Sequence, residues 1–368
     1  MKATQQLHDL GQSLWLDNIT RGLLTSGTLA RYIGEYSVTG LTSNPTIFDK
    51  AIRDSSFYDD AIQQKAAAGK SGEDLFFELA LEDLTQAADL FRPVHDATAG
   101  VDGFVSLEVS PLLADDSAGT IKAAAELHRR AQRPNLFIKI PGTEAGVRAI
   151  EETIFAGVPV NVTLLFSCEQ YLAAAEAYMR GIERRIAAGL DPKLQSVASI
   201  FVSRWDAAVQ DKVAAPLRNR LGIAVARRTY RAYRELLESA RWRKLAAAGA
   251  RPQRVLWAST GTKDPTAPDT LYIEALAAPA TVNTMPEATL LAFADHGKVS
   301  AQMPADGGDA DALLAEFRRL QVEQGPLAAQ LQREGARSFS KSWTDLLQCL
   351  GSKSAQLTRR DPAAAGRR

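Results

Sequence analysis

A short apolar, β-branched run that ends at a polar or Gly/Pro cluster, followed by a helical pattern, recurs eight times along this chain. That alternation is its strongest constraint on fold. The runs are Ser13 to Asp17, Val38 to Thr42, Phe104 to Val109, Leu136 to Ile140, Val158 to Phe166, Val197 to Ser203, Arg254 to Ser259 and Ala280 to Met285. Strands alternating with helices give a parallel sheet, and eight such units close most economically into a (β/α)₈ barrel of the α/β class. A doubly wound open sheet is the alternative, but no Gly-x-Gly-x-x-Gly follows the first run. A chain of 368 residues suits a single barrel. The expected organisation is one catalytic domain over residues 1–351 and a frayed tail over 352–368.

The helices carry their own signals. Ser167 and Gln170 form a capping box opening the pattern from Glu169 to Ala188, and Ser71 with Asp74 opens another. The connection from Ser43 to Gly103 exceeds a simple crossover, and two or three helices are expected to cover one end of the barrel there. Between Arg218 and Lys244 arginines interleave with Tyr230, Tyr233, Leu236 and Leu237, which predicts a solvated helix face paired with Glu235 and Glu238 rather than a basic groove.

Lysine plus arginine and aspartate plus glutamate number 43 each, so no global field points to nucleic acid or membrane; a bound anion needs a local site. Cys168 and Cys349 lack metal spacing and fit a reducing compartment, and the start lacks a basic region followed by an apolar core, so a cytoplasmic location is expected. No run of about 18 apolar residues occurs. The four histidines are scattered without metal-site spacing, which disfavours a metal mechanism.

One residue breaks the pattern. Lys139 lies inside the apolar run Leu136-Phe137-Ile138-Lys139-Ile140. Burial disfavours the charged amine, and a neutral amine attacks carbonyls. The plainer reading is a barrel-end lysine that reaches water or pairs with a carboxylate. In a parallel barrel, functional groups collect at the carboxyl ends of the strands. Those ends offer Asp17 and Asn18; Thr42, Ser43 and Asn44; Glu108; Lys139; Asn161 and Thr163; Ser199 and Arg204; Ser259, Thr260 and Lys263; Asn283 and Thr284. Each has a plain reading: Asp17 as a cap, Asn44-Pro45 as a turn, Glu108 as a structural counter-ion for Lys139, Arg204 as a helix-start residue. Together they are too many polar groups for a barrel interior unless they satisfy one another or a ligand. A lysine, two carboxylates and two amides fit Schiff-base chemistry on a polyhydroxy carbonyl compound, and Arg204, Ser259 and Lys263 fit a phosphate pocket.

These residues fall in blocks that resemble the transaldolase family over nearly the whole chain. The most specific are Gly40-Leu41-Thr42-Ser43-Asn44-Pro45-Thr46-Ile47-Phe48, Ser106-Leu107-Glu108-Val109-Ser110-Pro111, Phe137-Ile138-Lys139-Ile140-Pro141 and Asn161-Val162-Thr163-Leu164-Leu165-Phe166-Ser167. The length and the long second connection resemble the longer subgroup. The resemblance implies a class I aldolase-type barrel that needs no cofactor, acts on sugar phosphates, and transfers a dihydroxyacetone unit from sedoheptulose 7-phosphate to glyceraldehyde 3-phosphate. It implies Lys139 as the Schiff-base lysine, Asp17 as the base at the C4 hydroxyl, and Glu108 with Thr163 as holders of a water. Asn44 and Asn161 would contact the dihydroxyacetone unit, and Ser199, Arg204 and Ser259 the sugar chain and phosphate. One departure is Gly261, where many members carry arginine; Lys263 is the nearby cation, a point charge rather than a fork. A fructose 6-phosphate aldolase and a non-catalytic sugar-phosphate-binding barrel are the alternatives, and monomer and homodimer both remain open.

Overall fold

In the computed structural model, residues 1–360 are described. The strands are β1 (Ser13–Leu16), β2 (Val38–Leu41), β3 (Val105–Glu108), β4 (Leu136–Pro141), β5 (Val160–Leu165), β6 (Ser196–Phe201), β7 (Gln253–Ala258) and β8 (Val282–Met285). They pair in parallel in sequence order and close, β8 on β1. The expected (β/α)₈ barrel is what the chain forms, each expected run containing or overlapping one strand.

Successive side chains of a strand point to opposite faces, so each strand divides into a helix-facing and an inward set. Leu136, Ile138 and Ile140 of β4 join the apolar layer beneath the helices, as do Val160 and Val162 of β5 and Val255 and Trp257 of β7. The opposite faces supply the interior. At its amino-terminal floor lie Trp15, Phe137, Val197, Leu256 and Val282, with Phe104 stacked on Phe137 at a centroid distance of 4.2 Å. Gly40 is required there, because a Cβ would come within 2.6 Å of both Trp15 Nε1 and the Phe104 carbonyl oxygen.

The long second connection holds the helices Pro45–Arg53, Asp59–Ala67 and Gly72–Ala97, as anticipated. Ser71 occupies the N-cap of the third without a side-chain hydrogen bond, whereas Ser167 and Gln170 make the full capping box of the helix Cys168–Ala187. β5 is less regular than its sequence suggests: Leu164 adopts φ of +59°, and the register to β6 slips between Val162 and Leu165. The arginine-rich helix Leu221–Glu238 makes one expected pair, Arg231 with Glu235, but its closer partners lie on other elements. Arg227 pairs with Asp309, Arg228 with Glu169 and Arg231 with Asp311, all on neighbouring elements, while its own Glu235 is 3.8 Å from Arg231. Opposite charges facing each other across packed helices outcompete pairs along one helix.

The chain ends in the 37-residue helix Gln324–Arg360. It takes in residues 352–360, the first part of the tail expected to fray. Lys353 there pairs with Asp59 at 2.7 Å and donates to the carbonyls of Ile52 and Ser55. The remainder of the expected frayed tail, residues 361–368, lies outside the described residues.

Candidate active site

The carboxyl ends of the strands surround a cavity of about 370 Å³. Asp17, Asn44, Lys139, Thr163, Ser199, Arg204, Ser259 and Lys263 all line it; Glu108 and Asn161 lie directly behind that lining. All ten residues given a role from the sequence therefore converge on one mouth.

Lys139 is 5% exposed, and its position follows from strand alternation: Ile138 and Ile140 are drawn under the helices, so Lys139 must point inward. Its Nζ donates to the Ser43 carbonyl at 3.0 Å and lies 3.2 Å from Glu108 Oε2. β3 and β4 are in register at these two residues. Burial pushes the Glu108 carboxyl above the usual carboxylate range, Lys139 pulls it down, and Asp17 adds a smaller upward push. Both plain readings of this pair are thus partly right, since Lys139 does face a carboxylate. Thr163 Oγ1 is buried without a hydrogen-bond partner among the described residues, and Glu108 Oε2 receives no aligned donor.

On the β1 side, Thr42 Oγ1 donates to Asp17 Oδ1 at 2.7 Å and lies 2.7 Å from Thr284 Oγ1, which must then donate to it. This short chain aims the Asp17 carboxylate. Across the barrel, Ser199 Oγ donates to Asn161 Oδ1 at 2.7 Å, and Asn161 Nδ2 donates to Ser106 Oγ at 3.1 Å. Asn44 does what its turn reading predicts, accepting from Ile47 N at 3.1 Å as the N-cap of Pro45–Arg53, and still lines the cavity.

The cationic side is built from β6 and β7. Arg204 stands over the Phe201 ring at 5.0 Å and near the Phe339 ring at 6.0 Å, with no hydrogen bond or ion pair to any described residue. Burial pushes its guanidinium down from the usual range. A half-buried fork with free donors fits a phosphate. Ser259 holds left-handed backbone, φ +54°, and its Oγ is 3.0 Å from Ser203 Oγ. Lys263 is exposed at the rim, and Gly261 packs on Pro286.

Four strand-end residues stay out of the lining: Ser43 Oγ donates to the Ser106 carbonyl at 2.8 Å and Thr260 Oγ1 to the Thr284 carbonyl at 2.9 Å, and the other two turn away. Asn18 donates to Glu287 at 3.0 Å, and Asn283 pairs in register with the helix-facing Leu14 and Trp257, so it belongs to the outer layer. Sequence reasoning missed Lys50, on the helix after β2, and Ser338 and Phe339, on the terminal helix, all of which line the cavity. The ring of Phe339 lies 5.6 Å from Lys139 Nζ. Phe339 follows the terminal helix pattern, and nothing local marks the segment as returning to the barrel mouth. Trp15, Trp205, Trp242 and Trp257 are all buried outside the cavity lining, which makes them packing residues.

A closed parallel barrel with a buried amine at the end of its fourth strand, beside a carboxylate, defines an enzyme of the class I aldolase type. The family described as transaldolase/fructose-6-phosphate aldolase matches residues 14–350. A transaldolase of Arthrobacter sp. (strain FB24) is 47% identical over 94% of this chain and 95% of its own length. A transaldolase of Thermobifida fusca is 47% identical over 93% and 96%, and one of Thiobacillus denitrificans 43% over 95% and 100%. The chain belongs to the transaldolase/fructose-6-phosphate aldolase family, and its function is of the transaldolase kind. Among the described residues, no helix is long and apolar enough to cross a membrane and no cluster of acidic, histidine or cysteine side chains could hold a metal ion.

Proposed function

We propose that this enzyme moves a dihydroxyacetone unit from sedoheptulose 7-phosphate to glyceraldehyde 3-phosphate, yielding erythrose 4-phosphate and fructose 6-phosphate, as a step of the non-oxidative pentose phosphate pathway in the cytoplasm. The observation that carries the reading is Lys139 Nζ, 5% exposed as a residue, 3.2 Å from Glu108 and sharing one cavity with Asp17. The Lys139 amine adds to the C2 ketone, water leaves, and the resulting iminium draws the electrons of the breaking C3–C4 bond. Asp17, aimed by Thr42, takes the C4 hydroxyl proton; general base catalysis of this kind contributes roughly 10²–10⁴ in rate. Glu108 and Thr163, whose oxygens lack aligned partners, hold the water that shuttles protons during carbinolamine formation. Asn44 and Asn161 hold the three-carbon unit, and Ser199, Arg204, Ser259 and Lys263 hold the sugar chain and phosphate.

Borohydride with fructose 6-phosphate should tag Lys139 irreversibly; an untagged Lys139 with activity intact ends the proposal. Asp17→Ala should suppress cleavage while still permitting the tag. A fructose 6-phosphate aldolase would use the same residues but release free dihydroxyacetone, and a coupled assay with and without an aldose-phosphate acceptor separates the two.

A further inference from the structure

We propose that Phe339 is a specificity-determining residue: its ring covers the Lys139-bound three-carbon unit, so that C3 of that unit attacks an aldehyde acceptor rather than taking a proton from water. This deepens the transfer reading above and rests on it.

The terminal helix is fastened across the barrel mouth at both sides. Gln332 Nε2 donates to the carbonyls of Gly142 and Leu164, each at 2.9 Å, beyond β4 and within the irregular end of β5. Gly335 lets the helix approach, since a Cβ would meet Leu164 Cδ2 at 2.9 Å and Arg204 Nη1 at 3.2 Å. On the far side Thr46 Oγ1 donates to Ser342 Oγ at 2.9 Å, and Trp343 Nε1 donates to Glu73 Oε1 at 2.9 Å. Phe339 lies between these fastenings and is 6% exposed.

Its ring faces two cationic centres, Lys139 Nζ at 5.6 Å and Arg204 Cζ at 6.0 Å. A cation within about 6 Å of an aromatic face is stabilised, more so when desolvated. The iminium nitrogen forms on Nζ, so the ring stands beside the charge that appears there and is apolar wall to the rest. Hydroxyls, the amide of Asn44, the carboxylate of Asp17 and four cationic side chains supply most of the cavity lining; Phe339 and Phe201 supply aromatic cover.

The outcome turns on a partition. After the first aldehyde leaves, the enamine carbon C3 either attacks the carbonyl of the acceptor, forming a C–C bond, or takes a proton. Protonation is followed by addition of water at C2 and expulsion of the lysine amine, which frees dihydroxyacetone. Apolar cover slows the second branch by keeping proton-donating bulk water away from C3; the water that later hydrolyses the iminium at C2 is needed in both branches.

The test measures free dihydroxyacetone released from fructose 6-phosphate relative to transfer to an aldose-phosphate acceptor, in wild type, Phe339→Ala, Phe339→Leu and Ser342→Ala. Phe339→Ala should raise the release-to-transfer ratio about fivefold or more, with Lys139 still tagged by borohydride. Phe339→Leu, which keeps an apolar filling, should raise it less, and reads the same ratio should the alanine variant not accumulate folded. Ser342→Ala removes one of the four fastening hydrogen bonds and keeps the ring, so it should raise the ratio far less than Phe339→Ala. An unchanged ratio in both Phe339 variants, or an equal rise in Ser342→Ala, overturns the proposal. Failure to tag Lys139 in the wild type would instead remove the underlying transfer reading.

Discussion

The floor and the mouth of this barrel are built on the same inward faces, two residues apart, and differ in kind. Trp15 gives way to Asp17, Phe137 to Lys139, Val197 to Ser199 and Val282 to Thr284. At the floor, charged groups meet partners within the chain, although the side-chain oxygens Gln12 Oε1, Asn135 Oδ1 and Gln253 Oε1 are buried without one among the described residues. Asp102 accepts from Trp15 Nε1 at 2.8 Å, and Arg254 donates to Ser13 Oγ at 2.7 Å and the Val101 carbonyl at 2.8 Å, although its Nε lacks a partner. At the mouth, Arg204 is free of hydrogen bonds and ion pairs to described residues, and Thr163 Oγ1 is buried without a partner. Folding alone favours matched or apolar interiors. Under the proposed function, the free cation and the Lys139–Glu108 pair at the mouth have a ligand as their complement, whereas the rings at the floor hold the barrel.

The largest effect should come from the mouth, with activity and stability pulling apart. Lys139→Met should lower turnover on the order of 10⁴-fold or more. It also leaves Glu108 buried without its cation, which typically destabilises by about 3–5 kcal/mol. Adding Glu108→Gln should recover most of that stability in urea unfolding while turnover stays lost. Recovery of turnover by the double variant would mean the pair is structural only.

The floor should answer in the opposite sense. Phe137→Ala removes a ring stacked at 4.2 Å on Phe104 and 6.0 Å from Trp15. A loss of about 3–5 kcal/mol is expected, with turnover per folded molecule within a few-fold of wild type. A variant as stable as wild type but inactive would collapse the distinction between the two ends.

This division was partly legible in the sequence. Strand alternation around Ile138 and Ile140 fixes which way Lys139 points, and the same argument orients Asn161 and Thr163 around Val162. It does not orient β8: position 283 and position 284 are both polar, and only the pairing of Asn283 with Leu14 and Trp257 shows which one faces the helices. Phe339 was illegible for another reason. Contacts across the barrel mouth depend on where a distant helix packs, and helical periodicity reports only that one face is apolar. The partners of Arg227, Arg228 and Arg231 escaped local reading likewise, because they lie on other elements.

Beneath the mouth, Asp206 tests whether support can be altered without touching the cavity. Its carboxylate accepts from Tyr272 Oη at 2.8 Å and from the backbone N–H groups of Leu221, at 2.8 Å, and Gly222, at 3.3 Å. Burial nevertheless pushes it up to about 6, the hydrogen bonds pulling the other way. The folded chain then holds a proton between about pH 4 and 6 that the unfolded chain has released, so this group's contribution is present at low pH and is lost as pH rises through 6. Asp206→Asn lacks that slope. Relative to wild type, the variant should gain stability between pH 4 and pH 7, by about 3 kcal/mol at most. Glu108 and Asp83, also raised by burial, are common to both proteins and cancel in the difference. A difference independent of pH would show that Asp206 is ionised throughout.

The smallest effect belongs to the outer shell, which neither end of the barrel uses. Arg241 meets Glu183 Oε1 at 2.6 Å and Oε2 at 2.9 Å, and Glu176 at 2.5 Å, with its side chain 38% exposed. Those hydrogen bonds hold its guanidinium above the ordinary range, yet solvent screens a pair this exposed. Glu176 also pairs with Arg180 at 3.3 Å, and Arg180 with Glu151 at 2.6 Å, so removing one arginine leaves Glu176 a partner and strands only Glu183. Arg241→Gln should therefore lower stability by about 0.5–1 kcal/mol. The loss should shrink as salt shortens the Debye length below about 8 Å, and turnover should be unaffected. A loss matching that of Phe137→Ala would put as much of the fold in this surface network as in the barrel floor, which its exposure and its redundant partners both argue against.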